Sequence, residues 1–284
     1  MRLDRANQLA LAAILLWASL ASLGVKLAQV PPFMLVGISL LVGSLGSIHR
    51  IGSWRVPLGT LVVGVAGLFG YHFCLFLALR WAAPVQVNLL NYLWPLLLVV
   101  LSPVVLTGYR LSLPQVGGGV LGFTGAALLV TGGGQVATPM ADWAGYGLAM
   151  LAALIWAVYS LLTKRLPAFP TSAIGGFAAV SGLLSLICHV LLEPAYSPSA
   201  EQWALLLLLG AGPLGAAFFL WDAALKKGDP RVIGTLAYLT PLLSTALLVV
   251  TGGAALSWPA LVALGLILSG AWLGSRPARE RVPA

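Results

Sequence analysis

A short apolar stretch of this chain carries the side chains best suited to bind a small molecule. Asn88, Asn91, Tyr92 and Pro95 are spaced three, four and seven residues along it, so a helix would carry them on one face, with Trp94 beside Asn91. An amide turned toward lipid would leave its hydrogen-bonding groups unsatisfied. We therefore predict that this face looks inward, where the asparagines either contact a ligand or form a hydrogen-bonded seam between helices.

Further aromatic side chains are predicted at a similar depth in other apolar stretches. They are Trp17, Tyr71, Trp156, Tyr159 and Tyr238, with His72 and Thr240 beside them. Tyrosine and tryptophan normally collect at membrane interfaces, so a group near mid-depth indicates an internal cavity. Aromatic walls can stack on a ring or attract an ammonium group. We predict that these residues, with Tyr92 and Trp94, line a substrate site; the alternative is core packing.

A histidine and two prolines complete the candidate residues. His72 is either a hydrogen-bonded structural residue or a proton carrier, because ionisable groups inside a membrane are usually functional. Pro95 and Pro241 fall in mid-span, where each removes a helical hydrogen bond and kinks the helix. The freed carbonyl groups would line a polar cavity. The kinks serve either as gating hinges or as static bends.

The sequence of the stretch that holds these residues is repeated later in the chain. Pro84, Tyr92, Leu93 and Pro95 recur 146 positions later as Pro230, Tyr238, Leu239 and Pro241. Two other blocks repeat in the same order, one of them pairing Trp17 with Trp156 at a shift of 139. Internal symmetry in an apolar chain is typical of transporters built from repeats.

The composition indicates a polytopic membrane protein. Of 284 residues, 60% are hydrophobic and 8% are charged, and the mean hydropathy is +1.00. A helix needs about 20 apolar residues to cross the bilayer. We predict ten spans near 8–27, 33–49, 57–80, 84–106, 113–131, 144–163, 171–192, 201–224, 230–251 and 257–274. The runs are continuously apolar, so the fold class is all-α, and we expect the first span to be retained instead of removed as a signal peptide.

The positive charges predict the orientation. With a cytoplasmic N-terminus, thirteen of the 15 lysines and arginines fall on the inner side, and only Lys26 and Arg80 fall outside. We therefore expect both termini in the cytoplasm of a bacterial inner membrane. The net charge of +8 then follows from topology and requires no nucleic-acid partner.

The acidic residues are predicted at span ends, in loops or in tails. Lys226 follows Asp222 by four residues and is expected to pair with it on the helix surface. Without a carboxylate at mid-membrane depth, the usual element for proton or sodium coupling is missing. We predict downhill transport, with proton coupling through His72 as the alternative.

Five spans per copy is an odd number, so the second copy must enter the membrane from the opposite side. We predict a first five-helix repeat at residues 1–131, a linker at 132–143, a second repeat at 144–274 and a cytoplasmic tail at 275–284. Glycine pairs such as Gly118 with Gly122 and Gly270 with Gly274 predict close helix contacts. A single chain would supply the whole cavity, so we expect a monomer in the bilayer.

Motifs for other classes of protein are missing from the sequence. There is no paired intramembrane carboxylate, nucleophile elbow, metal-binding cluster or phosphate-binding loop, so we expect no enzyme, no metal and no cofactor. An ion channel would more naturally show charged rings or a filter sequence. The pattern favours a carrier of small organic molecules; a non-transporting scaffold or flippase subunit is the other class left open.

The chain resembles the EamA branch of the drug/metabolite transporter superfamily. The resemblance rests on ten spans in two halves, on the Leu16-Trp17 motif followed by Lys26 and Pro31, on its echo around Trp156, and on glycine-rich fifth and tenth spans. Within that branch, residues 91–95 after residues 70–72 are similar to exporters of aromatic amino acids.

The resemblance implies a basket-shaped bundle that exports amino acids, with Tyr71, Tyr92, Trp94 and Trp156 as cavity aromatics. Leu75 stands where that type is expected to have a further aromatic, so we expect aromatic and other neutral amino acids as cargo. Another small metabolite or a cationic drug is the alternative cargo.

Overall fold

The computed structural model describes residues 4–134, 140–250 and 257–274, and within those ranges every regular element is helical. Among these described residues, eight helical stretches are long and apolar enough to cross a membrane, and one shorter apolar helix follows them. The eight are Arg5–Lys26, Pro32–Trp54, Leu58–Trp81, Pro84–Val105, Leu113–Thr131, Trp143–Arg165, Thr171–Leu192 and Ala200–Lys227, and the shorter one is Trp258–Gly274. The prediction of an all-α multi-pass membrane protein is confirmed. The predicted tail at 275–284 and part of the predicted linker at 132–143 lie outside the described residues.

Several stretches consist of consecutive helices, which we number α1 to α15 along the chain. They are α1 (Arg5–Ala18), α2 (Leu20–Lys26), α3 (Pro32–Ser44), α4 (Leu58–Val65), α5 (Tyr71–Trp81), α6 (Pro84–Asn91), α7 (Trp94–Val105), α8 (Leu113–Thr131), α9 (Trp143–Arg165), α10 (Ile174–Leu192), α11 (Ala200–Ala211), α12 (Ala217–Lys227), α13 (Pro230–Ala237), α14 (Leu239–Val250) and α15 (Trp258–Gly274). Short 3₁₀ segments cover Leu45–Trp54, Met140–Asp142 and Thr171–Ala173.

Two spans contain a π-helical turn at corresponding places. The turn at Ala66–Gly70 joins α4 to α5, and the turn at Gly212–Ala216 joins α11 to α12, 146 positions later. A π turn leaves backbone groups of the helix without their usual partners, and such turns are frequent at functional sites. Side chains reach carbonyl oxygens in both turns, as described below for His72 and Trp17.

The helix is also interrupted before each of the two mid-span prolines. α6 ends at Asn91 and α7 begins at Trp94, while α13 ends at Ala237 and α14 begins at Leu239. Proline has no N–H, so Pro95 and Pro241 cannot donate to the carbonyl oxygens of the residues four positions earlier. The predicted interruptions are therefore present in both spans.

Glycine contacts hold α8 against α15 as predicted. A Cβ atom added at Gly118 would lie 2.6 Å from the Gly270 carbonyl oxygen and 2.5 Å from the Gly274 nitrogen. Gly67, in the first π turn, lies directly against the ring of Tyr159. Small residues permit these backbone approaches, which larger side chains would prevent.

Helices from the two halves of the chain pack on each other around the core. α1 packs on α12, α3 packs on α10, and α5 and α7 both pack on α9. As a result, α1, α5, α7, α9 and α12 converge on one buried region. Most of the predicted site residues lie on these five helices.

Candidate functional site

A cluster of tryptophans occupies the buried region where these helices meet. The ring of Trp17 in α1 lies 6.4 Å from Trp94 in α7 and 6.0 Å from Trp156 in α9, measured between ring centroids. Both contacts are edge-to-face, the geometry that aromatic quadrupoles favour. Trp17 also contacts Trp221 at 5.1 Å and Phe218 at 6.2 Å, both from α12. Helices from both ends of the chain therefore supply this cluster.

Two tyrosines extend the cluster through Trp156. The Trp156 ring lies 5.3 Å from Tyr71 and 5.4 Å from Tyr159. Together these residues form what we call the aromatic cluster: Trp17, Tyr71, Trp94, Trp156, Tyr159, Phe218 and Trp221. The rings pack on one another in this structure, whereas the sequence pattern predicted that they wall an open cavity. A ligand would enter by separating them.

Hydrogen bonds fix two of the indole rings. Trp17 Nε1 donates to the carbonyl oxygen of Pro213, 3.1 Å away in the second π turn. Trp221 Nε1 donates to Ser160 Oγ, also at 3.1 Å. A buried indole N–H usually finds a partner of this kind. The second π turn thus supplies the acceptor that holds the Trp17 ring.

Asn91 is the amide that reaches the aromatic cluster. Its Nδ2 donates to the Tyr71 hydroxyl oxygen at 3.2 Å, and the residue is 8% exposed. Its Oδ1 is buried and accepts no hydrogen bond from any described residue. Tyr71 accepts in this bond, so its own O–H stays available as a donor. Asn91 and Tyr71 therefore present one acceptor and one donor beside the rings.

His72 is buried against the same region and is tied to its own helix. Its Nδ1 lies 2.6 Å from the Leu68 carbonyl oxygen in the first π turn. A carbonyl can only accept, so Nδ1 must carry the proton and Nε2 is the free acceptor of the neutral ring. The ring packs 4.9 Å from Tyr71 and 6.3 Å from Phe218. His72 therefore has the structural role left open by the sequence, tied to its own helix through Nδ1.

Four of the residues predicted for the site lie outside the aromatic cluster. Asn88 is exposed, whereas Asn91 on the same predicted face is buried. Tyr238 is fully buried in a separate cluster with Ala126 and Ile267, against which Tyr92 also packs. Residues at the same membrane depth on two helices need not contact each other, because their side chains can point into different regions of the bundle. Thr240 is partly buried, and its Oγ1 has no partner among the described residues.

Helix α12 contributes two aromatic residues that were not among the predicted site residues. Phe218 and Trp221 are spaced three residues apart and face the aromatic cluster, a helical spacing that was available in the sequence. We had placed this region at the end of a span, where aromatic residues normally lie at the interface. The second π turn shifts the residues that follow it, and it has no recognisable sequence signal.

Asp222 is buried, which corrects two expectations. Lys226 is its partner as predicted, with Nζ 2.7 Å from Oδ2, but the pair is not on the surface because the Asp222 side chain is 1% exposed. Thr171 Oγ1 also donates to Oδ2 at 2.6 Å. The expectation that the chain lacks a buried carboxylate is therefore wrong, since a lysine four residues away made this one resemble a surface pair.

No group of three or more histidine, cysteine or acidic side chains that could hold a metal ion is found in the described ranges. The aromatic and amide groups of the cluster suit an organic molecule with a ring and polar ends. Neutral aromatic surface favours stacking and cation–π contact. The arrangement can bind such a molecule; it offers no nucleophile with an adjacent base.

Comparisons with known proteins agree with this chemistry. The model of the EamA-like transporter family matches the chain twice, at residues 5–131 and 143–276. A relative named aromatic amino acid exporter YddG, from Ancylobacter novellus, is 40% identical over 278 residues, which cover 94% of this chain and 96% of the relative. The protein of the same name from Escherichia coli is 28% identical, with 96% and 98% covered. One solved crystal structure superimposes with a TM-score of 0.92 at 38% identity, covering 97% of this chain and 98% of the other.

Proposed function

The chain belongs to the EamA-like transporter family, and we propose that it exports amino acids, with aromatic and other neutral amino acids as its cargo. The observation that carries this proposal is the aromatic cluster, which helices from both halves of the chain build at their point of convergence. The relatives named as aromatic amino acid exporters match nearly the whole chain. A multi-pass transporter with a buried aromatic site suits cargo that carries a ring.

The groups around the cluster match the parts of an amino acid. A cargo ring would stack between Trp17, Trp94 and Trp156 in place of their present contacts with one another. The ammonium group would gain cation–π attraction from the same rings. Asn91 Oδ1 would accept from the ammonium, and the Tyr71 hydroxyl would donate to the carboxylate.

We also propose ten spans arranged as two inverted five-helix repeats, at residues 1–131 and 144–274. The family model matches the chain once in each half. The helix interruptions at Tyr92 and Tyr238, and the π turns at Ala66–Gly70 and Gly212–Ala216, repeat at the same shift of 146. Alternating access would rock one half against the other around the aromatic cluster.

The proposed orientation puts both termini in the cytoplasm of a bacterial inner membrane. The distribution of lysine and arginine supports this orientation. The protein is proposed to act as a monomer. Transport is proposed to be downhill: Asp222 is a buried carboxylate, but Lys226 neutralises it in place.

Counterflow into liposomes tests the function. Liposomes that hold the purified protein are loaded with unlabelled phenylalanine, and entry of labelled phenylalanine is measured against protein-free liposomes. We expect accumulation that excess unlabelled leucine reduces and that Trp156→Ala abolishes. No flux with any amino acid would contradict the proposal and favour a scaffold or flippase subunit, whereas flux of an aromatic cation alone would favour a drug exporter.

A second measurement tests the coupling. With an imposed pH gradient, the initial rate of phenylalanine flux is expected to stay within about twofold of the rate without a gradient, since the proposed cycle moves no proton. Strong stimulation by the gradient would overturn downhill transport. It would leave amino acid export intact.

A further inference from the structure

A cavity of about 230 Å³ lies apart from the aromatic cluster, at the ends of α9 and α12. Its lining includes the side chains of Thr163, Lys164 and Lys226 together with the ring of Phe169. On the proposed orientation this is the cytoplasmic end of both helices. A cavity of that volume has room for roughly seven waters, at about 30 Å³ each, or for a small charged group.

Both lysine ammonium groups are held at this cavity by backbone oxygens. Lys164 Nζ donates to the carbonyl oxygens of Leu225 at 2.8 Å and Gly228 at 2.5 Å. Lys226 Nζ donates to the Phe169 carbonyl oxygen at 3.0 Å and to Asp222 Oδ2 at 2.7 Å. An ammonium group has three N–H donors. Lys164 therefore keeps one N–H without an acceptor among the described residues, while Lys226 Nζ also lies over the ring of Phe169.

The charges at the cavity leave one surplus cation. Asp222 pairs with Lys226, and Asp229, the acidic group that acts on Lys164, is itself paired with Arg231. The two atoms that Lys164 contacts are uncharged carbonyl oxygens. These carbonyls lie at the C-terminal end of α12, where the helix dipole offsets only part of a positive charge. The half-buried Lys164 ammonium group, with a charge that is not neutralised and a free N–H, is suited to bind an anion.

The cavity lies two helical turns beyond the aromatic cluster on two neighbouring helices. On α9, Trp156, Ser160 and Lys164 are spaced four residues apart, and on α12, Phe218, Asp222 and Lys226 repeat that spacing. Residues four apart lie above one another on a helix face. The Trp221 to Ser160 hydrogen bond joins the two faces midway. The same two helices therefore lead from the lysine cavity to the cluster.

We propose that this cavity is an entry site for the carboxylate group of the cargo, with Lys164 and Lys226 as its donors. The proposal rests on amino acid export as the function. An exporter loads from the cytoplasm, where a free amino acid carries a carboxylate at neutral pH. The carboxylate would dock on the two lysines, while the Phe169 ring, already 3.6 Å from Lys226 Nζ, offers an apolar surface to the side chain. An anionic lipid headgroup has the same chemistry and is the competing occupant.

Lys164→Gln tests the proposal because glutamine can still donate to a carbonyl while the charge is lost. In inverted membrane vesicles, we expect the KM for phenylalanine to rise about tenfold, the cost of one charge-assisted hydrogen bond. The KM for phenylalaninamide, which lacks the carboxylate, is expected to stay within twofold. The exposed Lys227 supplies the matched control: Lys227→Gln removes the same charge beside the cavity and is expected to leave both KM values unchanged. Equal effects on the acid and the amide would overturn the proposal.

The role of Lys226 is tested by replacing it together with its partner Asp222. The double variant Lys226→Gln with Asp222→Asn avoids a buried unpaired carboxylate, which would threaten folding. We expect the double variant to raise the KM for phenylalanine and to leave the KM for phenylalaninamide within twofold. A thermal unfolding midpoint near that of the unaltered protein shows that the double variant is folded. A folded double variant with an unchanged KM for phenylalanine would contradict the role of Lys226.

A binding measurement separates this proposal from the function on which it rests. Benzoate, a bare aromatic carboxylate, is expected to raise the unfolding temperature of the protein in nanodiscs of zwitterionic lipid, and Lys164→Gln is expected to remove that shift. If anionic lipid in the nanodiscs also abolishes the shift, the site belongs to headgroups and the entry role is wrong. A benzoate shift without amino acid flux would retain the anion site and reject the export function. Amino acid flux without a benzoate shift and with unchanged KM values would retain the export function and reject the anion site.

Discussion

Trp17 in α1 and Trp221 in α12 lie with ring centroids 5.1 Å apart, although they belong to opposite halves of the chain. Each indole is also anchored by a hydrogen bond, Trp17 to Pro213 and Trp221 to Ser160. Both acceptors lie in the second half of the chain, so Trp17 ties α1 directly to that half beside the aromatic cluster.

Trp17→Phe should weaken the protein at the second π turn. Phenylalanine keeps an aromatic ring in the cluster but cannot donate to the Pro213 carbonyl oxygen. An acceptor left unsatisfied in a buried site costs about 1–3 kcal/mol. A lower unfolding temperature for Trp17→Phe than for the unaltered protein checks this expectation. Phe218→Leu, which removes a ring but no hydrogen bond, serves as the comparison; a larger loss there would show that ring packing dominates.

Asn91→Leu should impair cargo binding more than protein stability. Leucine is close in size, but it removes the donor to Tyr71 and the free Oδ1 that the proposed site offers to an ammonium group. Loss of a hydrogen bond to a charged group costs about 1.5–3 kcal/mol, so we expect the KM for phenylalanine to rise at least tenfold.

Asn88→Leu is the matched control for that experiment. Asn88 lies on the same helix one turn earlier and is exposed, so its replacement should leave transport within twofold. Equal losses in the two variants would mean that the asparagines act together and that the site extends further along α6 than we propose.

The helices and their order were largely predictable because the patterns of hydropathy and charge are visible directly along the sequence. The predicted span at 113–131 coincides with α8, and seven other predicted spans correspond to the remaining helical stretches that are long enough to cross a membrane. The relative membrane depth of residues could also be predicted from the sequence. For that reason the expected grouping of Trp17, Tyr71, Trp94 and Trp156 agrees with their ring contacts. Which helices are neighbours was not accessible, and Tyr238 was misplaced for that reason.

The burial of Asp222 shows a second limit of the sequence. Acidic and basic residues four apart near a helix end are usually a solvated pair. Here Thr171 from the α9 to α10 connection covers the carboxylate, and Lys226 reaches back to Phe169 in the same connection. This burial depends on tertiary packing that no local pattern encodes. The anion cavity follows from the same contacts and was invisible in the sequence for the same reason.

Gly118→Ala should destabilise the contact between α8 and α15. The added methyl group would meet the backbone of Gly270 and Gly274, which cannot rotate away as a side chain could. Overpacking of this kind costs about 1–3 kcal/mol. Gly147→Ala is the control: Gly147 lies within α9 with no atom within 4 Å of an added Cβ, so the variant should be neutral or gain up to about 1 kcal/mol. Thermal unfolding in detergent measures both, and equal destabilisation would contradict the packing argument.

Single and double replacements at Asp222 and Lys226 should be strongly non-additive. Lys226→Met leaves a 1% exposed carboxylate with Thr171 as its remaining donor among the described residues, and removal of one partner of a buried pair costs about 3–5 kcal/mol. Adding Asp222→Asn to Lys226→Met removes the uncompensated charge, so the double variant should be more stable than Lys226→Met alone. Unfolding temperatures of the four proteins in the cycle measure the coupling between the two residues. Additive losses would mean that water reaches Asp222 and screens its charge, in which case the pair could not hold α12 to the α9 to α10 connection.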